Sequence, residues 1–285
     1  MYRSVYSILV LVFICGCYAS QLRIVDGDIV KSIEEYPFMA SIRSFSDSFC
    51  GGTILSRRYV LTAAHCIYQL NGKEPLPPRF ASVRVGSLSK SSGGKIYQVE
   101  EIKLNPFWRK FEHMIPFYGD DALIKLKEDI EYNEKVQPVI LPAVKNYSLR
   151  DESTVIVMGY GRTKMETEEV LQDESYEKND ALRSTKMQVY NNKKCIKDWN
   201  EFMSKLEDEH DQKIIMAHIR IICLKGEGDF CNGDSGGPAI DENNVQVGII
   251  SFNMDCSEIE TPLPSGVTDI RPWLWWINLE LSKEI

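Results

Sequence analysis

Cys231-Asn-Gly-Asp-Ser-Gly-Gly-Pro238 is the most informative stretch of this chain. Glycines on both sides of Ser235 let the backbone turn sharply and bring main-chain N–H groups close to a bound molecule. A serine hydroxyl is a weak nucleophile until a neighbouring base removes its proton. The N–H groups of Gly233 and Ser235 could then stabilise the negative oxygen of a tetrahedral intermediate, forming an oxyanion hole. The competing reading is a glycine-rich turn with no chemical role.

A suitable base lies far upstream. Leu61-Thr-Ala-Ala-His-Cys66 puts His65 beside a cysteine and directly after the apolar run Tyr59-Val60-Leu61. That setting holds an imidazole rigidly enough to act as a general base. The other histidines, His113, His210 and His218, lie in polar or loop-like contexts and read as surface or structural residues.

Outward from these motifs, most of the chain reads as short strands separated by turn residues. The first half offers 38–43, 49–55, 80–85, 96–104 and 122–126. The second half offers 154–158, 182–189, 219–224, 245–251 and 266–270. In 96–104 the apolar positions only partly alternate, so a bulge is expected there. Many short strands with Gly, Pro and Asn punctuation mean a sandwich or a barrel. The segment 129–144, with Pro138 and Pro142, looks like a connector between halves. Thr163–Asp180 is polar and strongly acidic, which suggests a mobile loop. In 198–213 the spacing of Trp199, Phe202, Met203 and Leu206 predicts a short amphipathic helix. Pro272 opens a second predicted helix, in which Trp273, Trp276, Ile277 and Leu281 share a packing face. No internal repeat or low-complexity tract interrupts this pattern.

Composition narrows the function classes. The 285 residues are 44% hydrophobic and 10% aromatic, enough for a sizeable core, and the net charge of −8 points to neither nucleic acid nor an anionic membrane. Arg3 followed by the unbroken apolar run Ile8–Cys15, with Cys17 and Ala19 at small-residue positions, reads as a secretory signal peptide over 1–19, against the alternative of a buried N-terminal strand. Eight cysteines are present, and the loss of Cys15 and Cys17 with that peptide leaves six in an oxidising compartment, so three disulfides are expected with connectivity open. Zinc is the competing reading, but neither a close Cys-x-x-Cys nor a His-x₃-His spacing supports it. Asn146-Tyr147-Ser148 is a glycosylation sequon.

The two motifs closely resemble those of the trypsin/chymotrypsin family, and of its invertebrate trypsin-like enzymes in particular. The resemblance runs from Ile24 to about Ile277 and includes the order His, Asp, Ser. It implies an all-β fold of two packed antiparallel six-stranded β-barrels with a C-terminal helix. The N-terminal barrel would span about 24–130, the C-terminal barrel about 131–270 and the helix 272–283, within a peptidase domain of 24–285. It implies a catalytic triad of His65, Asp120 and Ser235. The third member is less clean, because Asp120-Asp121-Ala122-Leu123-Ile124 has a second acid where the family has an aliphatic. Register favours Asp120 over Asp121, and Asp121 either points to solvent or is paired.

Arg23-Ile24-Val25-Asp26-Gly27 resembles the family's activation site, with 20–23 as a short activation peptide. Cleavage after Arg23 would free the Ile24 amine to pair with Asp234, a buried ion pair tolerable only when both partners are present. The resemblance further implies disulfides Cys50–Cys66, Cys195–Cys223 and Cys231–Cys256. The loop Gly86–Gln98 lacks the acidic ligands of calcium-binding relatives, so no metal and no cofactor are expected. Asp229 falls at the base of the specificity pocket, where trypsin-like members pair with substrate Arg or Lys. Ser251 is placed at the same pocket, and Phe230, Asn253 (in Ser251-Phe252-Asn253) and Ser265 depart from the small residues expected along it and would narrow it. Stretches 163–180 and 198–213 would border the cleft, as an exosite for a basic macromolecule or as plain solvated surface.

The expected protein is therefore a secreted, monomeric serine endopeptidase acting on polypeptides after Arg or Lys. Protein protease inhibitors are possible partners; nucleic acid and membrane are not. Two alternatives stand beside it: a catalytically inactive homologue that binds or regulates, and a protease of narrow, non-tryptic specificity.

Overall fold

The computed structural model describes residues 27–45, 47–68, 74–108, 118–143, 147–163, 179–206, 220–253 and 263–284. The expected signal and activation segments with Ile24, most of the acidic stretch 163–180, the end of 198–213, Asn146 and Cys256 lie outside the described residues. So do His113, His210 and His218.

In chain order the described strands are β1 (Asp28–Ile29), β2 (Met39–Ser44), β3 (Asp47–Ile54), β4 (Tyr59–Thr62), β5 (Ala81–Val85), β6 (Lys95–Leu104), β7 (Ala122–Leu126), β8 (Thr154–Gly159), β9 (Arg183–Tyr190), β10 (Ile221–Lys225), β11 (Pro238–Asp241), β12 (Gln246–Phe252) and β13 (Ser265–Asp269). The first barrel closes in the order β2-β3-β4-β7-β6-β5. The second closes because β8 pairs with both β9 and β11, giving the ring β8-β9-β10-β13-β12-β11. All these pairings are antiparallel, and β1 adds to the outside of the second ring by pairing Asp28 with Ser184. Closure leaves few unpaired strand edges. The two-barrel fold with a C-terminal helix is thus the one the family resemblance implied.

Strand β6 shows why the apolar pattern there is broken. Tyr97 and Val99 point into the first barrel, while Gln98 and Glu100 are exposed. The register against β7 then slips between Val99 and Glu101, so Ile102 and Leu104 return to face the strand's neighbours. The extra residue of a bulge changes the phase of the inward face.

Two cores result. The first gathers Met39, Ile42, Ile54, Leu61, Val83, Tyr97, Leu123 and Ile124, and extends across the junction to Met158, Leu182, Ile249 and Trp276. The second fills the other barrel with Val155, Val157, Met187, Leu224, Phe230, Ile250 and Val267. Burying each such side chain contributes about 1.5–3 kcal/mol. At the C-terminus, a 3₁₀ turn at Arg271–Trp273 leads into a helix at Leu274–Leu281. Trp273, Trp276 and Ile277 are buried and Leu281 partly so, whereas Trp275 faces solvent.

The other long helix departs from its expected bounds, spanning Asn192–Leu206 rather than starting at Asp198. The Asn191 carboxamide oxygen accepts the Lys194 N–H at 3.1 Å, and such a cap starts a helix. A disulfide from Cys195 to Cys223 then ties the first turn to β10. A second disulfide, Cys50–Cys66, ties β3 to the short helix Ala64–Tyr68. Loops of these lengths gain roughly 3 kcal/mol each from cross-linking. Cys231 is also disulfide-bonded.

Candidate active site

His65 sits in the helix that follows β4, and Asp120 lies two residues before β7, the strand paired with β4. Strand pairing therefore delivers the carboxylate to the imidazole. Asp120 Oδ2 lies 2.8 Å from His65 Nδ1, and Oδ1 accepts the His65 backbone N–H at 2.8 Å. A carboxylate can only accept, so Nδ1 carries the proton and Nε2 keeps its lone pair. Ser251, at the end of β12, donates its hydroxyl to Asp120 Oδ2. Burial lowers the imidazole pKa, but the charge of Asp120 and its hydrogen bond outweigh that and hold it above the ordinary 6.5.

The Ser235 backbone approaches this pair from the other barrel. Cys66 Sγ is 3.6 Å from the Ser235 carbonyl oxygen and 3.9 Å from His65 Nε2, so one sulfur touches both. Gly51 of β3 donates its N–H to the same carbonyl at 2.8 Å. The turn needs its glycines. Gly233 has φ +97° and Gly236 φ +82°, and a Cβ on Gly236 would stand 2.2 Å from Thr62 Oγ1. Between the glycines, Asp234 folds under the turn, its N–H bonded to the Cys231 carbonyl at 3.0 Å. Among the described residues, neither the Gly233 N–H nor the Ser235 N–H has an acceptor. Two free donors, on alternate residues of a tight turn, can together receive a developing oxyanion.

Asp234 is fully buried. Its Oδ1 accepts the Gly161 N–H at 2.7 Å and its Oδ2 the Cys231 N–H at 2.9 Å. Burial pushes its pKa up to about 6 against these bonds and the nearby Lys90 charge. A Cβ on Gly159 would come within 2.1 Å of this carboxylate, and one on Gly161 within 2.5 Å, so both glycines are needed for the approach.

Asp121 is paired, as one of its two expected arrangements required, and it does not reach solvent. Its Oδ1 accepts Asn105 Nδ2 at 2.8 Å, while Oδ2 has no partner among the described residues. Burial pushes its pKa up to about 8, and the charge of Asp120 adds to that. At neutral pH it is therefore a neutral carboxylic acid, which removes the oddity of an acid in a core position.

The candidate pocket lies beyond the turn. Asp229 Oδ1 accepts the Phe230 N–H at 2.8 Å and Oδ2 accepts the Ser265 hydroxyl at 2.5 Å. The Asn253 amide donates to the Phe230 carbonyl. Burial pushes Asp229 up to about 6, opposed by bonds from Ser265, Phe230 and Asn253. Cys50, His65 and Cys66 also cluster, but their two sulfurs are joined to each other and offer no thiolate to a metal.

Comparison with known proteins agrees with this geometry. The trypsin family model matches residues 24–277. The chain belongs to the trypsin family. Trypsin 5G1 of Aedes aegypti is 30% identical over 257 residues, covering 88% of this chain and 84% of that protein. The clotting factor G beta subunit of Tachypleus tridentatus is 30% identical over 273 residues, covering 93% and 81%. Chymotrypsin-2 of Vespa crabro is 31% identical over 245 residues, covering 86% and 94%. In fold, the chain is similar to a scabies mite inactivated protease paralogue, with a TM-score of 0.69 at 21% identity, covering 91% of this chain and 97% of the other.

For a trypsin-family chain, two pocket residues sit differently from expectation. The Phe230 ring is 2% exposed and packs in the second barrel core. Only its backbone N–H and carbonyl face Asp229 and Asn253. Ser251, grouped beforehand with the pocket wall, directs its hydroxyl to Asp120. Ser265 and Asn253 do supply polar atoms near Asp229. Asn105 was missed altogether, since an Asn before a Pro reads as a turn residue and nothing local marks Asp121 as its partner.

Proposed function

We propose that this trypsin-family protein is a secreted serine endopeptidase, activated by cleavage after Arg23. The observation that carries the reading is the His65–Asp120 hydrogen bond, which puts the proton on Nδ1, beside a Ser235 turn that has two N–H donors unengaged among the described residues. In the reaction, Ser235 Oγ attacks the scissile carbonyl carbon as His65 Nε2 takes the hydroxyl proton. The resulting oxyanion accepts hydrogen bonds from Gly233 and Ser235, and Asp120 stabilises the imidazolium. His65 then passes its proton to the leaving amine, which departs and leaves an acyl-enzyme. A water molecule, deprotonated by His65, attacks the ester and releases the acid. The freed Ile24 amine would pair with Asp234, whose carboxylate already binds the backbone below the turn.

The primary specificity we propose is for Arg or Lys, through Asp229. A narrow, non-tryptic specificity is the second reading, favoured by Ser265 and Phe230 already occupying both Asp229 oxygens. Relatives named trypsin and chymotrypsin at similar identity leave both readings standing.

The test is hydrolysis of matched peptides ending in Arg, Lys, Phe, Leu or Ala, by recombinant zymogen cut after Arg23, with Ser235→Ala as control. Turnover after Arg or Lys that disappears in the control is expected. Turnover confined to Phe or Leu selects the second reading. No turnover of any peptide, with a confirmed Ile24 terminus, would place the chain with non-catalytic homologues.

A further inference from the structure

A second network, remote from the imidazole, converges on the Ser235 turn from the first barrel. Its origin is the loop Gly86-Ser-Leu-Ser-Lys-Ser-Ser-Gly-Gly94 between β5 and β6. The loop is braced from within. The Arg84 guanidinium donates to the Gly93 carbonyl and, at 2.9 Å, to the Ser91 carbonyl, and Ser87 Oγ donates to the Ser92 carbonyl at 2.6 Å. Gly93 and Gly94, at φ +69° and +60°, allow the return to β6.

This braced loop grips the far barrel around Asp180. The Asp180 carboxylate accepts the Ser89 hydroxyl and, at 3.0 Å, the Ser91 N–H. The Asp180 carbonyl accepts the Lys90 N–H at 3.0 Å, and Leu182 donates to the Leu88 carbonyl at 2.7 Å. Tyr160 closes the other side, its hydroxyl donating to the Ser87 carbonyl at 2.6 Å while its own carbonyl accepts Lys90 Nζ at 3.3 Å. Burial raises the Asp180 pKa, but the bonds from Ser89 and Ser91 overcome that and hold it below 3.8, so the grip is charged at neutral pH.

From Asp180 the path to the turn is short. Its neighbour Asn179 is buried and donates Nδ2 to the Gly161 carbonyl at 2.8 Å. Gly161 donates its N–H to Asp234 Oδ1 at 2.7 Å. Asp234 lies between the two residues whose N–H groups are unengaged.

We propose that Asp180 is a positioning residue for the oxyanion turn. Clasped by the serine-rich loop, it fixes Asn179, and with it the Gly161 peptide that holds Asp234 and keeps the Gly233 and Ser235 donors aimed. It touches no substrate. Its effect falls on charge stabilisation at the reacting carbonyl and leaves the pocket at Asp229 unchanged. The inference rests on the reading of Ser235 as nucleophile, but its structural half can be measured without catalysis.

The experiment compares the activated chain with Asp180→Ala, Asp180→Asn and Ser89→Ala, reading backbone hydrogen exchange at Gly161 and Gly233–Ser235 beside the rate of Ser235 labelling by a fluorophosphonate. In Asp180→Ala, Gly161 exchange rises about tenfold, and labelling and kcat fall about tenfold with KM within about twofold, short of the ~100-fold that a full misplacement brings. Asp180→Asn, which keeps an oxygen for the Ser91 N–H, recovers most of both. Ser89→Ala shows the same pattern at smaller size and serves if Asp180→Ala does not fold. Unchanged Gly161 exchange in these variants, whatever the melting temperature does, overturns the proposal. Faster exchange with no labelling of the unmutated chain leaves the clasp standing and sinks the nucleophile reading.

Discussion

His65 is held in one tautomer by an acceptor on one side and left with a lone pair on the other, and this arrangement has a pH signature. A group whose folded pKa is raised stays protonated to higher pH, and a protonated imidazole cannot serve as base. The acid limb of kcat/KM is therefore expected to lie above 6.5, and a limb below that value would contradict the Asp120 pairing. Asp121 offers the opposite experiment, on stability. Its pKa rises from an ordinary 3.8 to about 8 on folding. Below both values the two states are equally protonated. Between them folding must take up a proton, so the stability held at low pH is lost as pH rises towards 8. Asp121→Asn should match the wild type near the lower limit and exceed it at pH 8 in the unfolding free energy from urea titration, by a few kcal/mol at about 1.4 kcal/mol per pH unit. Equal midpoints at both pH values would mean that Asp121 is not buried as an acid.

At the scale of elements, the helix Asn192–Leu206 is fastened to the pocket side of the second barrel. Trp199 Nε1 donates to the Pro264 carbonyl at 3.0 Å, one residue before Ser265, and its ring meets Phe252 edge-on at 5.4 Å. Trp199→Phe, which keeps most of the ring, is expected to lose about 1 kcal/mol in thermal or urea unfolding. Trp199→Ala should lose about 3–5 kcal/mol. A smaller loss for the alanine variant than for the phenylalanine one would remove the packing argument. The helix type was legible in the sequence because Trp199 and Phe202 recur at helical spacing. Its start was not, because a cap at Asn191 and a disulfide at Cys195 act outside that apolar stripe. Strand β11 was also missed, since four residues that begin at the proline of Gly-Gly-Pro carry too little alternation to be recognised.

At the scale of the whole molecule, the site depends on how closely the two barrels approach. Gly51 of the first barrel faces Gly237 of the second, and a Cβ on Gly51 would lie 2.8 Å from the Gly237 Cα and N. Both contacts are with backbone, which cannot rotate away. Gly51→Ala is expected to keep β-type circular dichroism yet lower Ser235 labelling by roughly 100-fold, because the shift separates Ser235 from His65. Normal labelling would show that the barrels can slide without harm. The His65 and Ser235 motifs, the glycine turn and the family were all readable in the chain, because each is a demand on a few consecutive residues. The cysteines to be joined were readable only through that resemblance. Tertiary structure alone decided that Phe230 packs inward, that Ser251 serves Asp120, that Asp121 is a buried acid on Asn105, and that Asp180 is clasped by the loop Gly86–Gly94. Each of these outcomes is a choice between water and a distant partner, and the partner is brought near only when the barrels close.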